Sequence, residues 1–329
     1  MASALLQWMK RPTHDPHSYA ARYPATARFF EEHFAPIENI EDLVTSILKL
    51  IGEYENGNRE QRGTRTLVAN EYGVLKTAVR AWFAEIRQGA ALASSAYQDF
   101  ARDVVAPGDC IVTFNYDVSL DRELRRAGRF EAGDGYGFPI EGLPGESPVK
   151  MLKLHGSTSW LALLFGGMTS GVSSFQAGST LGVRPVIPRN ELSFLGYADA
   201  VDPAFGKGGA ALPVMIFPAR AKDFYFAGNT GIEYAEFWNY LWRQAYVELQ
   251  SATRVVLCGY SLLPIDERAR RLLLKAPGTD AEIVVASGGD TERIVREYRD
   301  AGYARAAAAE DVLFDKWVAR SSDRVPAMR

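Results

Sequence analysis

The stretch Arg254-Val-Val-Leu-Cys-Gly259 decides the fold class. A short apolar run closed by glycine is the pattern of a buried parallel strand. Residues Ile265 to Lys275 then read as a helix, Ala281-Glu-Ile-Val-Val-Ala286 as a second strand and Thr291 to Tyr298 as a second helix. Strand, helix, strand, helix is the signature of an α/β protein with a parallel sheet. Working outward, Tyr234 to Ser251 is an amphipathic helix whose apolar face is Phe237, Leu241, Trp242, Ala245 and Leu249. Pro213-Val-Met-Ile-Phe-Pro218 reads as a short strand. Farther back, Asp109-Cys-Ile-Val-Thr-Phe114 and Val149-Lys-Met-Leu-Lys-Leu154 are two more buried-strand patterns. Between them Asp117 to Arg126 reads as a helix, with Asp117 as its N-cap, Leu120 and Leu124 as an i,i+4 pair and Gly128 as its stop.

The first 100 residues are of a different kind. Phe29, Phe30 and Phe34 have helical spacing, and Pro36 ends that run. Asn39 then caps a helix whose stripe is Ile40, Leu43, Val44, Ile47, Leu48 and Ile51. Glu53 to Arg65 is polar and read as a loop. Leu75, Val79, Trp82, Phe83 and Ile86 restore the helical period. Residues 161–210 are Gly/Ser-rich with scattered prolines, which predicts an irregular insertion or flap. The run Ala306 to Ala309 is too short to count as low complexity. The expected organisation is one domain over residues 1–329. A helical layer occupies 1–100, the core is built from 105–160 and 212–300, and the insertion lies between them.

Composition excludes several classes. Of 329 residues, 47% are apolar and 23% charged, which is globular rather than disordered, collagenous or coiled-coil. Lys+Arg number 37 and Asp+Glu 40, a net charge of −3, without the basic excess of a nucleic-acid binder. The two cysteines, Cys110 and Cys258, are too few for a disulfide framework or a Cys-based zinc site. Both lie in strand-like runs, so buried reduced thiols are expected. No HExxH motif is present, and no metal is expected. No apolar run reaches membrane-span length and Met1 to Lys10 lacks signal-peptide character, so a cytoplasmic chain is expected.

Three strands end in polar clusters: Thr113-Phe114-Asn115-Tyr116-Asp117, Lys153-Leu-His155-Gly156-Ser157, and Gly259-Tyr260-Ser261 with Asp266 beyond it. Ligands of open α/β sheets bind at the carboxyl ends of strands, so the three clusters could line one crevice. Each has a bland reading as well. Asn115 and Asp117 serve as caps, a lone histidine is commonly structural, and Gly-x-Ser is frequent in turns. Leu263 stands where a nucleophile elbow needs glycine, so a Ser-His-Asp hydrolase fits poorly.

Taken in order, Thr-Phe-Asn-Tyr-Asp, Lys-Leu-His-Gly-Ser with Trp160, and Gly-Tyr-Ser-Leu with Asp266 resemble the sirtuin-like NAD-hydrolase domains of bacterial defence proteins. The flanks Gly133-Asp-Gly-Tyr-Gly-Phe138 and Phe237 to Arg243 resemble that family too, and the likeness covers roughly residues 36–300. The resemblance implies a three-layer Rossmann-like sheet holding NAD, as substrate, across its carboxyl edge. It implies cleavage of the nicotinamide–ribose bond in anti-phage or stress defence. Asn115 would orient the attacking water, Asp117 would hold the carboxamide, and His155 would act as general base or ribose contact. Thr113, Phe114, Gly156 and Ser157 would line the ligand. Gly259, Tyr260 and Ser261 would take the adenosine side, with Asp266 ordering the segment behind them. Ser287 would stand in for an asparagine near the adenine ribose. The deacylase branch needs a four-cysteine zinc module, which two strand cysteines cannot build.

One departure concerns the family's opening strand and Gly-Ala-Gly-x-Ser loop, which bind pyrophosphate. No such motif precedes residue 36, and Met1-Ala-Ser-Ala-Leu-Leu-Gln-Trp reads as the helix that follows such a loop. A start placed too late is the expected explanation. The alternative is a degenerate, non-catalytic relative that binds NAD, another nucleotide or a protein. The partners expected are NAD or a nucleotide, together with a homo-oligomer or a defence-system protein. Neither nucleic acid nor a membrane is expected.

Overall fold

A computed structural model describes residues 2–11, 14–34, 38–54, 57–89, 95–140, 143, 145–163, 181–183, 195–197, 211–217, 225, 235–262 and 266–323. The chain is mixed α/β. Its first third is helical: α1 (Ala2–Met9), α2 (Tyr19–Arg22), α3 (Pro24–His33), α4 (Ile40–Glu53), α5 (Arg59–Gly89) and α6 (Ser95–Asp99). The α4 stripe of Ile40, Leu43, Val44, Ile47, Leu48 and Ile51 is buried, and the Asn39 side chain caps the helix by accepting from the Glu41 N–H at 2.8 Å. Val68, Tyr72, Leu75, Val79 and Trp82 of α5 join the same core.

The loop expected over Glu53 to Arg65 is shorter than that, because α5 begins at Arg59. Asn58 and Gln61 exchange hydrogen bonds, each backbone N–H donating to the other's side-chain oxygen at 2.8 and 3.0 Å. This is a reciprocal capping box. It starts the helix inside a segment whose polar residues lie on its solvent side, and Gly63 is tolerated within it.

The strands among the described residues are β1 (Cys110–Thr113), β2 (Lys150–Lys153), β3 (Gly156–Leu163), β4 (Leu181–Val183), β5 (Leu195–Tyr197), β6 (Ala211–Met215), β7 (Arg254–Cys258), β8 (Glu282–Ala286) and β9 (Ala306–Ala308). Of these nine, β1, β2, β6, β7 and β8 lie at the apolar runs that predict them, and β3, β4, β5 and β9 are additional. Among the described residues they form separate sheets rather than one: a parallel pair β1-β2, an antiparallel sheet β4-β5-β3-β6 and a parallel sheet β7-β8-β9. Cys110 aligns with Lys150 and Thr113 with Lys153 in the first. Val255 aligns with Ile283, and Ile283 with Ala306, in the last. The run Ala306 to Ala308 is thus an edge strand of a parallel sheet.

Three more expectations are corrected. The segment His155-Gly156-Ser157 does not leave the sheet region as a loop: the chain turns at Gly156 and continues as β3. The reason is the Gly156 backbone, at φ +83°, where an added Cβ would collide with the Val214 carbonyl oxygen of β6. The insertion at 161–210 is not irregular throughout, because residues 161–163, 181–183 and 195–197 are strands. The rest of it lies outside the described residues. Finally, the helix after β1 is α7 (Ser119–Arg126), and Asp117 precedes it rather than capping it directly.

Helix α8 (Ala235–Ser251) relates the two parallel sheets. Its Trp242 Nε1–H donates to the Leu154 carbonyl just past the carboxyl end of β2, and its Glu248 accepts from Lys150 at the amino end, at 2.6 Å. Helix α8 therefore runs antiparallel to β2. The chain then turns through Ala252 and Thr253 into β7. Helices α9 (Glu267–Lys275) and α10 (Thr291–Asp300) are the crossovers of the second parallel sheet, and α11 (Phe314–Asp323) packs against α6 and the helical turn after it through Phe314, Tyr97 and Phe100. No helix among the described residues is long and apolar enough to cross a membrane.

Candidate functional site

The carboxyl ends of β1, β2 and β7 meet. Phe114, next after β1, stacks on Tyr260, two residues past β7, with ring centroids 4.6 Å apart and planes at 26°. The His155 ring lies 5.1 Å from Phe114 and 6.3 Å from both Tyr116 and Trp242. His155 Nε2 stands 3.8 Å from Asp266 Oδ2, an electrostatic contact rather than a hydrogen bond. His155 is only 6% exposed and Asp266 8%, whereas Asn115 and Gly259 are open to solvent. The crevice thus has a buried histidine–carboxylate pair at its base, an aromatic wall and polar residues at its mouth.

Local chemistry shapes each turn. After β1, the Asn115 N–H donates to Thr113 Oγ1 at 3.1 Å, and the Ser119 N–H donates to Asp117 Oδ1 at 2.9 Å. These two side-chain turns lift Asn115 outward before α7 begins. After β7, Gly259 adopts φ +63°, a left-handed turn that a glycine takes without steric cost. Leu262 is also left-handed, at φ 47°, and it is fully buried. The loop between them is clasped from behind. Arg293 of α10 donates to the Ser261 carbonyl, Arg270 of α9 donates to the Leu262 carbonyl, and Glu297 binds both guanidiniums. Asp266 caps α9 by accepting from the Ala269 N–H. Burial first, and the Asp266 carboxylate second, raise the Tyr260 phenol far above its ordinary range. Burial and then Asp266 do the same for Tyr116. Both phenols are therefore hydrogen-bond donors at neutral pH, not proton acceptors.

A second acid–base pair sits behind the first. Lys153 Nζ of β2 binds Asp121 of α7 at 2.9 Å and also donates to the Asp117 carbonyl at 2.5 Å. The Tyr136 hydroxyl donates to the other Asp121 oxygen at 2.7 Å. Lys153 and Asp121 are each 1% exposed. Through the Asp117 carbonyl, this network fixes the turn that carries Asn115.

Of the residues expected to form a site, Phe114, His155, Tyr260 and Asp266 come together here, beside Tyr116 and Trp242, while Thr113, Asn115, Asp117, Gly259 and Ser261 lie on the turns that adjoin them in the chain, the Asp117 carboxylate on the Ser119 N–H. Gly156 and Ser157 turn away from the crevice. Ser157 is fully buried, its hydroxyl shared between Ser159 Oγ at 2.9 Å and the Tyr116 carbonyl. Ser287 lies at the end of β8, next to Ala286, whose carbonyl accepts the Gly259 N–H at 3.0 Å. The Ser287 hydroxyl is buried without a hydrogen-bond partner among the described residues. Sequence reasoning missed Tyr116, Asp121, Tyr136, the Arg270–Glu297–Arg293 clasp, and Arg268, whose guanidinium lies over the Trp242 ring 5.0 Å from its centre. The one available signal was a lysine inside an otherwise apolar strand, since Lys153 needed a buried counter-charge. No group of three or more His, Cys, Asp or Glu able to hold a metal occurs among the described residues.

In comparisons with known proteins, no protein-family model matches the chain and no curated protein is significantly similar to it.

Proposed function

We propose that the chain is a sirtuin-like NAD glycohydrolase, with the crevice at the carboxyl ends of β1, β2 and β7 as its site. The observation that carries this reading is the meeting of three separate sequence motifs around one buried pair, His155 and Asp266. Exposed Asn115 at the mouth can hold a water and a ribose hydroxyl through its amide. His155 can take a proton from that hydroxyl or water. The Asp266 carboxylate, 3.8 Å from His155, supplies the negative potential that an oxocarbenium-like transition state needs. The aromatic pair Phe114 and Tyr260 offers flat apolar surface to a ring of the dinucleotide. NAD is the substrate, and no metal takes part in these steps.

The finer architecture belongs to the same reading. Among the described residues β1 and β7 each pair on one side only, and the residues just past their carboxyl ends, Phe114 and Tyr260, stack on each other. In this reading, β2-β1 and β7-β8-β9 are two halves of one Rossmann-like sheet, with helices on both faces and an interval for a further parallel strand between β1 and β7. Role in defence, and any partner protein, are carried by the motif resemblance alone.

The test is nicotinamide release from NAD by the purified chain. Release that falls on the order of 100-fold in both His155→Ala and Asn115→Ala is the expected result, the size of a lost acid–base or positioning group. Undiminished release in either variant removes the proposed roles. Binding of NAD without any release supports the second reading, a nucleotide-binding module.

A further inference from the structure

Tyr116 sits between exposed Asn115 and half-buried Asp117, yet is itself only 2% exposed. An aromatic ring seeking the core would account for the burial alone, but Tyr116 is bonded at both ends. Its phenol donates to the Ile216 carbonyl at 2.6 Å, 100 residues farther along the chain. Its own carbonyl accepts the Thr158 N–H at 2.9 Å and the Thr158 hydroxyl at 3.3 Å. One end is thus fixed just past β6 and the other to β3.

His155 shares both anchors. It directly precedes β3, and it stands opposite Ile216 in the register that pairs Gly156 with Met215. Opposite residues of an antiparallel pair commonly exchange two backbone bonds. Here the Ile216 N–H donates to the His155 carbonyl at 2.9 Å, while the Ile216 carbonyl accepts the Tyr116 phenol. The rings meet as well. Tyr116 lies 6.3 Å from the His155 ring with the planes at 30°, and Phe83 of α5 packs edge-on against Tyr116 at 6.0 Å. Removing the phenol oxygen would keep the ring but take a buried donor from Ile216, which is fully buried. The end of β6 would then shift toward another donor and carry the His155 backbone with it. A catalytic group displaced by about an ångström is felt strongly in the rate.

We propose that Tyr116 is a positioning residue of the crevice, setting where the His155 imidazole stands through its ring and through Ile216. This role rests on the crevice being the NAD-cleaving site, and the two can fail separately. The full chain is compared with Tyr116→Phe and with a control, Tyr298→Phe. Tyr298 is also buried, and its phenol also donates to a backbone carbonyl, that of Leu273 at 3.1 Å, between α10 and α9. Two things are read. The first is kcat and KM for nicotinamide release from NAD. The second is the imidazole proton spectrum of the four histidines, in which the His155 signal is the one missing from His155→Ala.

Tyr116→Phe should lower kcat about tenfold, the scale of one buried hydrogen bond expressed as a rate. KM should stay within about twofold, the pattern of a misplaced catalytic group rather than of lost binding. The His155 resonance should move, although phenylalanine carries nearly the same ring current. Tyr298→Phe should keep the wild-type kcat, KM and His155 resonance. If Tyr116→Phe does not fold, Phe83→Leu decides, because it loosens the Tyr116 ring and keeps the phenol. A smaller fall in kcat with a moved His155 resonance then upholds the role, and wild-type values overturn it. Either an unchanged kcat or an unmoved His155 resonance in Tyr116→Phe overturns the role while the site reading stands. An equal fall in Tyr298→Phe overturns it too, since the loss is then one of general stability. If the wild type releases no nicotinamide, the site reading fails, and the His155 resonance in Tyr116→Phe still decides whether Tyr116 holds the imidazole.

Discussion

Two acid–base pairs hang from the same short strand. Lys153 and His155 stand two residues apart at the end of β2. Lys153 reaches Asp121 of α7 at 2.9 Å, while His155 faces Asp266 of α9 at 3.8 Å. The first pair is sealed: Tyr136 and the Asp117 carbonyl complete its hydrogen bonding, and both partners are 1% exposed. The second stands farther apart, and its strand ends adjoin exposed Asn115 and Gly259. Stability favours saturation, since a buried ion pair is tolerable only when its remaining donors and acceptors are met. Chemistry favours slack, since a proton acceptor must keep capacity for substrate. Burial alone therefore does not separate the two pairs; their geometry does, at 2.9 Å against 3.8 Å.

The contrast can be broken most forcefully at Asp121. Asp121→Ala strands a buried ammonium and should destabilise the chain by about 3–5 kcal/mol, read from chemical unfolding. The double change Lys153→Met with Asp121→Leu should recover most of that, because it removes both charges together. A small loss in Asp121→Ala would show that the sealed pair is not structural. His155→Ala is the next step down. Its unfolding free energy should fall by only about 1–2 kcal/mol, the cost of a lost buried aromatic contact rather than of a stranded charge. If His155→Ala unfolds the protein as severely as Asp121→Ala, the distinction between the pairs fails.

At neutral pH the cysteines have no such effect, and they sharpen the comparison by setting its pH range. Burial pushes the Cys110 and Cys258 thiols up to about 12 from an ordinary 9.0. Both stay protonated at neutral pH, so alkylation there should be on the order of 100-fold slower than for a free thiol. A folded-state pKa raised above the unfolded one gives stability that is complete below the unfolded value. It is lost as pH rises through the folded one. Stability should therefore decline between about pH 9 and about pH 12, and replacing both cysteines with alanine should flatten that decline. The two acid–base pairs are best compared below that window.

Much of the fold was legible because its signals are local. The stripe from Ile40 to Ile51, the Asn39 cap, the apolar run before Gly259 and the α8 face all follow from side-chain period and turn chemistry within a dozen residues. The capping box at Asn58 and Gln61 was just as local but was hidden by a polar stretch that resembled a loop. The site was legible in part. Phe114, Asn115, His155, Tyr260 and Asp266 were all named from strand ends, because open parallel sheets place their binding residues there.

What the sequence by itself determined is the type and place of the elements with a strong local pattern, such as α4, α8, β1, β2, β7 and β8, and the polar character of three strand ends. Those depend on neighbours along the chain. What only the tertiary structure decided is which ends meet and which way each turns. Gly156 presses on the β6 backbone and carries Ser157 into the interior, whereas the same kind of polar triplet after β1 lifts Asn115 to the surface. Lys153 finds Asp121, 32 residues earlier. Strand neighbours, buried counter-charges and the stacking of Arg268 on Trp242 are set by contacts between distant segments. No local period encodes them.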